Sequence, residues 1–252
     1  HGTGFAIEDG EDGVHVWMSA FGSLGYIGND QENLKYQAEQ AILRFAFEPG
    51  TTYETPEEVP GEVYYIGAQE HVWASVDYDH GLLAVFYGLD GERGRVRVFD
   101  LVAAKSLSKT SVNLSMERGS LSGGSMVKNE SATAVTVQVK DLTTLDPIYA
   151  FSTSYSGLSG DTQQMQGFTF YKDRLYWVSG SGSDHLTQVA TVYKDGTVLN
   201  AKQDLHFEDD GEVLVGAGLT YKHSSSGQIY FEVEGMKVHD GHAYFGYDWD
   251  RY

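Results

Sequence analysis

The stretch that decides the fold reads QGFTFYKDRLYWVSG and occupies residues 166–180. Aromatic and β-branched residues, which favour strands, run up to and away from a polar tip of Lys172, Asp173 and Arg174. This pattern predicts two short strands joined by a tight turn, which is a β-hairpin.

The same hairpin pattern recurs at three other places, near residues 4, 71 and 235. Each copy has a short strand, a polar turn and an aromatic-rich second strand. A hairpin that recurs at unequal spacing is typical of a radial β repeat. A fifth, degenerate copy is expected in between, with its clearer strands at 134–139 and 148–151. The sequence therefore predicts an all-β fold, a five-bladed β-propeller.

Length and composition agree with this prediction. The chain has 252 residues, and all-β propellers and barrels often use this length as one domain. Glycine is abundant at 30 residues and proline is scarce at 4, which suits many short strands joined by turns. We therefore predict a single propeller domain over residues 1–252, within a longer chain or an assembly.

The charge of the chain excludes some partners. The formal net charge is −19, so the average field repels nucleic acid and anionic lipid surfaces. The chain contains no cysteine, which rules out disulfides and thiolate metal sites. No run approaches the ~18 apolar residues that a membrane span needs. We expect neither a nucleic-acid partner nor membrane insertion.

An acidic segment at residues 8–13, EDGEDG, is superficially similar to a calcium loop. It lacks the alternating acidic ligands and the closing glutamate of such a loop. We interpret it as the solvated tip of the first hairpin, and we expect neither a metal nor a cofactor.

Catalytic signatures are not evident. The segment Gly180-Ser181-Gly182 follows a strand but meets no helical pattern, so it does not qualify as a nucleophile elbow. No phosphate-binding loop, zinc motif or dinucleotide fingerprint occurs in the chain. We predict no catalytic residues and a protein that is not an enzyme, although a glycosidase or lyase with an acid and a base across a cleft stays an alternative.

Three segments of the sequence resemble those of a known family. They are residues 166–168 with Leu175 and Tyr176, residues 234–238 with Tyr244, and His71 followed by Tyr78 and the strand at residues 82–85. They resemble the propeller shared by teichoic-acid biosynthesis protein C, helveticin J-type bacteriocins and receptor-binding proteins of phages of Gram-positive hosts. In that family a Gly-His-x-Asn phrase opens the second blade, whereas this chain has Trp73 where Asn is expected.

The resemblance implies a five-bladed propeller that binds cell-wall polysaccharide or teichoic acid during host attachment. It also implies a module of a homotrimeric phage tail fibre or tail tip, located in the virion or outside the cell. The alternative on the same fold is a secreted glycan-cleaving enzyme or a helveticin-type bacteriocin.

Two groups of residues are candidates for ligand binding. Aligning the hairpins places polar residues at the start of each innermost strand, where they should converge near the propeller axis: Thr3, Glu70, His71, Gln166 and Glu234. Aromatic side chains suit sugar rings, whose C–H faces pack apolarly. The aromatic candidates are Tyr26, Trp73, Trp249, Tyr247 and Tyr252. The competing interpretation is that both sets of residues are structural. The polar residues would then cap the central channel of the propeller, and the aromatic residues would fill space between its blades.

Overall fold

The computed structural model describes residues 5–22, 39–52, 59–69, 72–90, 93–116, 119–122, 125–128, 133–154, 165–181, 186–206 and 232–248. The chain divides into two compact units. The N-terminal unit is Thr3–Ser152, and the C-terminal unit is Thr153–Tyr252 with His1–Gly2. The single domain over residues 1–252 stays a prediction.

The described residues are almost entirely β-structure, which confirms the predicted all-β class. The strands that begin in the N-terminal unit are β1 (Phe5–Gly10), β2 (Gly13–Gly22), β3 (Glu39–Ala46), β4 (Gly61–Gln69), β5 (Val72–Asp77), β6 (Leu82–Asp90), β7 (Arg93–Asp100), β8 (Lys109–Met116), β9 (Gly119–Ser122), β10 (Ser125–Lys128), β11 (Thr133–Asp141) and β12 (Tyr149–Ser154). Those of the C-terminal unit are β13 (Met165–Tyr171), β14 (Arg174–Ser181), β15 (Leu186–Tyr193), β16 (Val198–His206), β17 (Glu232–His239) and β18 (His242–Asp248).

All four predicted hairpins are present, as the antiparallel pairs β1–β2, β5–β6, β13–β14 and β17–β18. The β17–β18 turn illustrates why the sequence forms them. Asp240 and Gly241 both have positive φ, at 46° and 74°. An Asp-Gly pair tolerates this backbone, whose twist matches that of the flanking strands.

The described strands form five sheets. In the N-terminal unit one sheet has the order β1-β2-β3-β4-β11-β8, one has the order β12-β7-β6-β5, and β9 pairs with β10. In the C-terminal unit β13-β14-β15-β16 is a four-stranded meander, and β17 pairs with β18.

The strands assigned to the degenerate copy do not share a sheet. β11 pairs in parallel with β4 and so extends the first sheet, whereas β12 lies beside β7 in the second. The alternation of arginine with Val and Phe over residues 95–99 predicts a half-buried outer strand. β7 is half-buried, with Arg95 and Arg97 exposed, but it is an inner strand of its sheet because β12 lies beyond it.

A short helix, α1 (Leu101–Ser106), follows β7 directly and was not predicted. The Asp100 side chain caps it by accepting a hydrogen bond of 2.7 Å from the Ala103 N–H. Leu101 and Ala104 lie three residues apart on the helix and are both buried. A 3₁₀ turn lies at Leu142–Thr144. No helix in the described part of the chain is long and apolar enough to cross a membrane.

The main core of the N-terminal unit joins the inner face of the six-stranded sheet to the β5–β6–β7 sheet and α1. Trp17 and Tyr64 are fully buried, with ring centroids 4.8 Å apart. They pack in one cluster with Ile42, Val72, Val76, Leu83, Val85, Phe99, Leu101 and Leu142. The same sheet face also carries charged residues, which form the cluster described below.

In the C-terminal unit the strands β13 and β17 belong to different sheets but lie against each other. A Cβ added at Gly167 would lie 2.9 Å from the Gly235 Cα and 3.1 Å from the Met236 nitrogen. The absence of a side chain at Gly167 therefore allows this close approach. Gly235 itself has open space at its own Cβ position.

We expect Gly167→Ala to lower the free energy of unfolding by about 2 kcal/mol, because the new methyl group meets backbone atoms that cannot rotate away. Gly235→Ala is the matched control and should change stability little, since its methyl group meets nothing within 4 Å. Thermal unfolding of both variants measures the difference. Equal melting temperatures for the two variants would contradict the close approach of β13 and β17.

Candidate functional site

Only part of the predicted ligand-binding set lies within the described residues. Tyr26, His71 and Trp249 lie outside them, as do Thr3, Glu70 and Tyr252. Glu234 lies on β17 and Tyr247 on β18, although their side chains are not described. For these residues, ligand binding stays a prediction.

Trp73 and Gln166 are both half-buried. Trp73 lies on β5 and packs its ring against Phe86, with centroids 6.4 Å apart. Gln166 precedes Gly167, just as Glu234 precedes Gly235, and these two glycines meet where β13 passes β17. The backbone thus brings Gln166 and Glu234 to neighbouring positions in the C-terminal unit. Whether they bind a ligand stays a prediction.

The charged cluster lies on the inner face of the six-stranded sheet and is centred on Glu8. The Glu8 side chain is fully buried, yet its carboxylate accepts four hydrogen bonds. Trp17 Nε1 and Arg44 Nε each donate to Oε2 at 2.8 Å. Arg44 Nη2 and Lys105 Nζ donate to Oε1 at 3.1 and 2.7 Å. A buried carboxylate is stable here because cations and donors satisfy both oxygens.

A second acid, Glu62, extends the charged cluster. Its carboxylate accepts hydrogen bonds from Lys140 Nζ and from the Tyr64 hydroxyl, and it lies 3.8 Å from Arg44 Nη1. Lys140 Nζ also donates to the main-chain carbonyl of Lys105. The cluster therefore connects β1, β2, β3, β4, β11 and α1 through charge-assisted hydrogen bonds.

The pKa of Glu8 reflects these contacts. Burial alone raises the pKa of a carboxyl group, but the hydrogen bonds from Arg44, Lys105 and Trp17 outweigh burial and lower the pKa of Glu8 from 4.5 to about 2. The pKa of Glu62 is lowered in the same way, because hydrogen bonds from Lys140 and Tyr64 outweigh burial. Both groups are carboxylates at neutral pH.

The interpretation of residues 8–13 as a solvated tip is wrong for Glu8. β1 continues to Gly10, and the alternation of the strand turns Glu8 inward while Asp9 points to solvent. Only Glu11 and Asp12 form the two-residue turn between β1 and β2. These two residues and Asp9 are exposed, as the interpretation requires.

Ligand atoms of Glu8, Asp12 and His15 lie within 4.8 Å of one another, a spacing that a metal ion could use. The donor set does not fit a metal, because the hydrogen bonds to Glu8 occupy both of its oxygens. Arg44 and Lys105 also place two positive charges against that carboxylate. The cluster is an ion-pair network that stabilises the fold.

The turn pair, defined as Gly10–Gly13 and Tyr78–Gly81, is the described surface best suited to a ligand. β1 lies against β5, which places the turn after β1 beside the turn after β5. The Tyr78 hydroxyl accepts a hydrogen bond of 3.3 Å from the Glu11 N–H. A Cβ on Gly10 would lie 3.1 Å from the Tyr78 ring, so the glycine leaves room for that ring. Tyr78 is 39% exposed.

The β5–β6 turn is itself held by a buried acid. Asp77 accepts a hydrogen bond of 2.9 Å from His80 Nδ1 and one of 3.3 Å from the His80 N–H. The Asp77 side chain is only 2% exposed, whereas that of His80 is 36% exposed. The turn pair therefore carries an aromatic ring, a partly exposed imidazole and the exposed carboxylate of Asp12. Tyr78 was not predicted to bind a ligand, although an aromatic residue between two aspartates in a hairpin turn is a sequence signal for such a surface.

No protein-family model matches the chain, and no curated protein matches it.

Stability should depend on pH through Glu8. The folded pKa of Glu8 is about 2 and its ordinary pKa is 4.5, so its contribution is complete above pH 4.5 and is lost as the pH falls to about 2. This difference corresponds to about 3 kcal/mol. Urea unfolding at a series of pH values, followed by the fluorescence of the buried Trp17 and Trp177, should show this loss.

We expect Glu8→Gln to destabilise the protein by about 3 kcal/mol at neutral pH, because it removes the carboxylate that accepts from half-buried Lys105 and leaves buried Arg44 with only Asp12 at 3.3 Å and Glu62 at 3.8 Å. The loss of stability between pH 4.5 and 2 should also become smaller in this variant. Asp9→Asn is the control, since it removes the neighbouring charge from the exposed face. Equal effects of the two substitutions would show that the network does not stabilise the fold.

Proposed function

We propose that this protein is a glycan-binding module that recognises a cell-wall glycopolymer without cleaving it. The observation that carries the proposal is the exposed Tyr78 ring of the turn pair, beside polar side chains that accept hydrogen bonds. Sugar rings pack their C–H faces on aromatic rings, while their hydroxyl groups need polar partners. The turn pair offers both kinds of contact on a surface anchored by backbone hydrogen bonds.

Glu8 and Glu62, the two acids at the centre of the charged cluster, do not have the properties of catalytic acids in a glycan-cleaving enzyme. A glycosidase needs two carboxyl groups that reach the substrate. Glu8 is fully buried, and the pKa values of Glu8 and Glu62 are lowered rather than raised. A general acid needs a raised pKa in order to hold a proton at neutral pH. Binding without cleavage is therefore our proposal.

We further propose that the sheets are blades of a five-bladed propeller. Three antiparallel runs support this architecture: β1-β2-β3-β4, β5-β6-β7 with β12, and β13-β14-β15-β16. Blades of propellers are four-stranded sheets of this kind. The hairpins β9–β10 and β17–β18 belong to the two further sheets. Within each unit, the contacts of β1 with β5 and of β13 with β17 fit the first strands of two neighbouring blades.

The biological setting is proposed from the resemblance described above. The protein would act in host attachment as the receptor-binding propeller of a phage tail fibre or tail tip, in the virion or outside the cell, and as a homotrimer if it belongs to a fibre. Cell-wall polysaccharide or teichoic acid is the proposed ligand. A helveticin-type bacteriocin would use the same recognition surface.

We expect Tyr78→Ala to weaken binding to purified Gram-positive cell walls roughly tenfold, because the sugar loses its aromatic partner. Tyr78→Phe should bind nearly as well, since it keeps the ring and loses only the hydroxyl that accepts from Glu11. Tyr244→Ala, at a more exposed tyrosine in the C-terminal unit, is the control. A co-sedimentation assay measures binding.

The same incubation tests cleavage. Release of reducing sugar or phosphate from the walls by the unaltered protein would overturn binding without cleavage. If Tyr78→Ala co-sediments with the walls as well as the unaltered protein does, the turn pair is not the binding surface.

Gln166 and Glu234 have their own test. If they contact the ligand, Gln166→Ala and Glu234→Ala should each reduce wall binding while the melting temperature stays within a few degrees of that of the unaltered protein. If both variants keep full binding and melt at lower temperature, the two residues have a structural role at the crossing of β13 and β17.

A further inference from the structure

Two exposed arginines lie side by side on β7 in the N-terminal unit. Arg95 and Arg97 are two residues apart on one strand, so their side chains leave the same face of the sheet. Buried Val96 and Val98 alternate with them, which fixes the direction of both arginines. The register pairs Arg95 with Tyr87 and Arg97 with Val85 on β6.

These arginines differ from the cations of the charged cluster and from Arg174. Arg44, Lys105 and Lys140 are bound to Glu8 or Glu62, and Arg174 lies 3.5 Å from Asp173. Within the described part of the chain, no carboxylate forms an ion pair with Arg95 or Arg97. Two adjacent arginines with no ion-paired carboxylate among the described residues contrast with the net charge of −19 of the whole chain. Their charge is available to an external anion.

Tyr87 holds this pair in position. The Arg97 guanidinium lies over the Tyr87 ring, 5.3 Å from its centroid. Arg95 lies opposite Tyr87 in the β6–β7 register, and burial raises the pKa of Tyr87 although both arginines oppose this rise. The stacked Arg97 loses less conformational freedom when it binds an anion than a freely rotating side chain does.

We propose that Arg95 and Arg97 form a binding site for the phosphodiester groups of an anionic wall polymer, an inference that rests on the proposed function and names its substrate class. Guanidinium groups bind phosphate through paired, charge-assisted hydrogen bonds. The spacing of two residues along a strand, roughly 7 Å, lets successive anions of one polymer contact both arginines.

The site also explains how an acidic protein binds an acidic polymer. Exposed charges more than roughly 8 Å apart are largely screened at physiological ionic strength. A phosphate in contact with Arg95 and Arg97 therefore experiences these two charges far more strongly than the distant acids of the chain. A long nucleic acid would approach many of those acids at once, which is why a flexible wall polymer is favoured.

The test uses the full chain and defined probes: poly(glycerol phosphate), uncharged dextran and duplex DNA, each titrated at low and at physiological salt. The test variant is Arg95→Gln with Arg97→Gln, which keeps most of each side-chain stem. Arg174→Gln removes one exposed positive charge elsewhere and is the control.

The unaltered protein should bind poly(glycerol phosphate) more tightly than dextran or DNA, and added salt should weaken that binding. The double variant should bind it about tenfold more weakly with a shallower salt dependence, whereas Arg174→Gln should stay within about twofold. An unchanged melting temperature in the double variant shows that its effect is not a loss of packing on Tyr87.

Three outcomes would overturn the inference: no binding of poly(glycerol phosphate) by the unaltered protein, equal losses in the double variant and in Arg174→Gln, or tighter binding of DNA. Co-sedimentation with intact walls distinguishes a failure of the arginine site from a failure of the proposed function. If wall binding persists while poly(glycerol phosphate) does not bind, the arginine site is wrong and the glycan module stands. If no wall is bound, the proposed function itself fails.

Discussion

The N-terminal unit depends on the buried carboxylate of Glu8. A charge without solvent is tolerated only if other groups satisfy it, and here Trp17, Arg44 and Lys105 do so from β2, β3 and α1. Lys140 then connects the main chain of α1 to Glu62 on β4. Because the buried charges of Glu8 and Arg44 compensate each other, the network constrains how these strands and the helix pack together.

This constraint has a consequence for recognition. The strand β1, which carries Glu8, ends in one turn of the turn pair, and β5, packed against β1, ends in the other. The buried Asp77 holds the second turn through His80. A surface built on anchored turns loses little freedom when a ligand binds, which suits an aromatic contact such as Tyr78. The proposed arginine site has the same property, because Tyr87 positions Arg97 in advance.

Much of the local structure could be predicted because it depends on near neighbours. The hairpin of residues 166–180 and its three copies follow from alternating apolar residues around polar turns, and all four are present. The helix α1 was missed because its apolar residues follow directly on β7, although Asp100 before Leu101 is a recognisable cap. Glu8 was assigned to a solvated turn because an acid beside Asp9 and Gly10 appears polar, and nothing local shows that Arg44 lies opposite it.

By itself, the sequence determined the β class, the positions of the hairpins and the acidic character of the chain, because strand preference, turn chemistry and charge are properties of short segments. The tertiary structure alone decided which strands share a sheet, where the parallel β4–β11 pair forms, and which charges meet. Arg44 lies 36 residues from Glu8 along the chain, and Lys105 lies 97 residues away. Contacts at such separations arise only when the sheets pack, because a buried charge selects its partners by distance in space rather than along the chain.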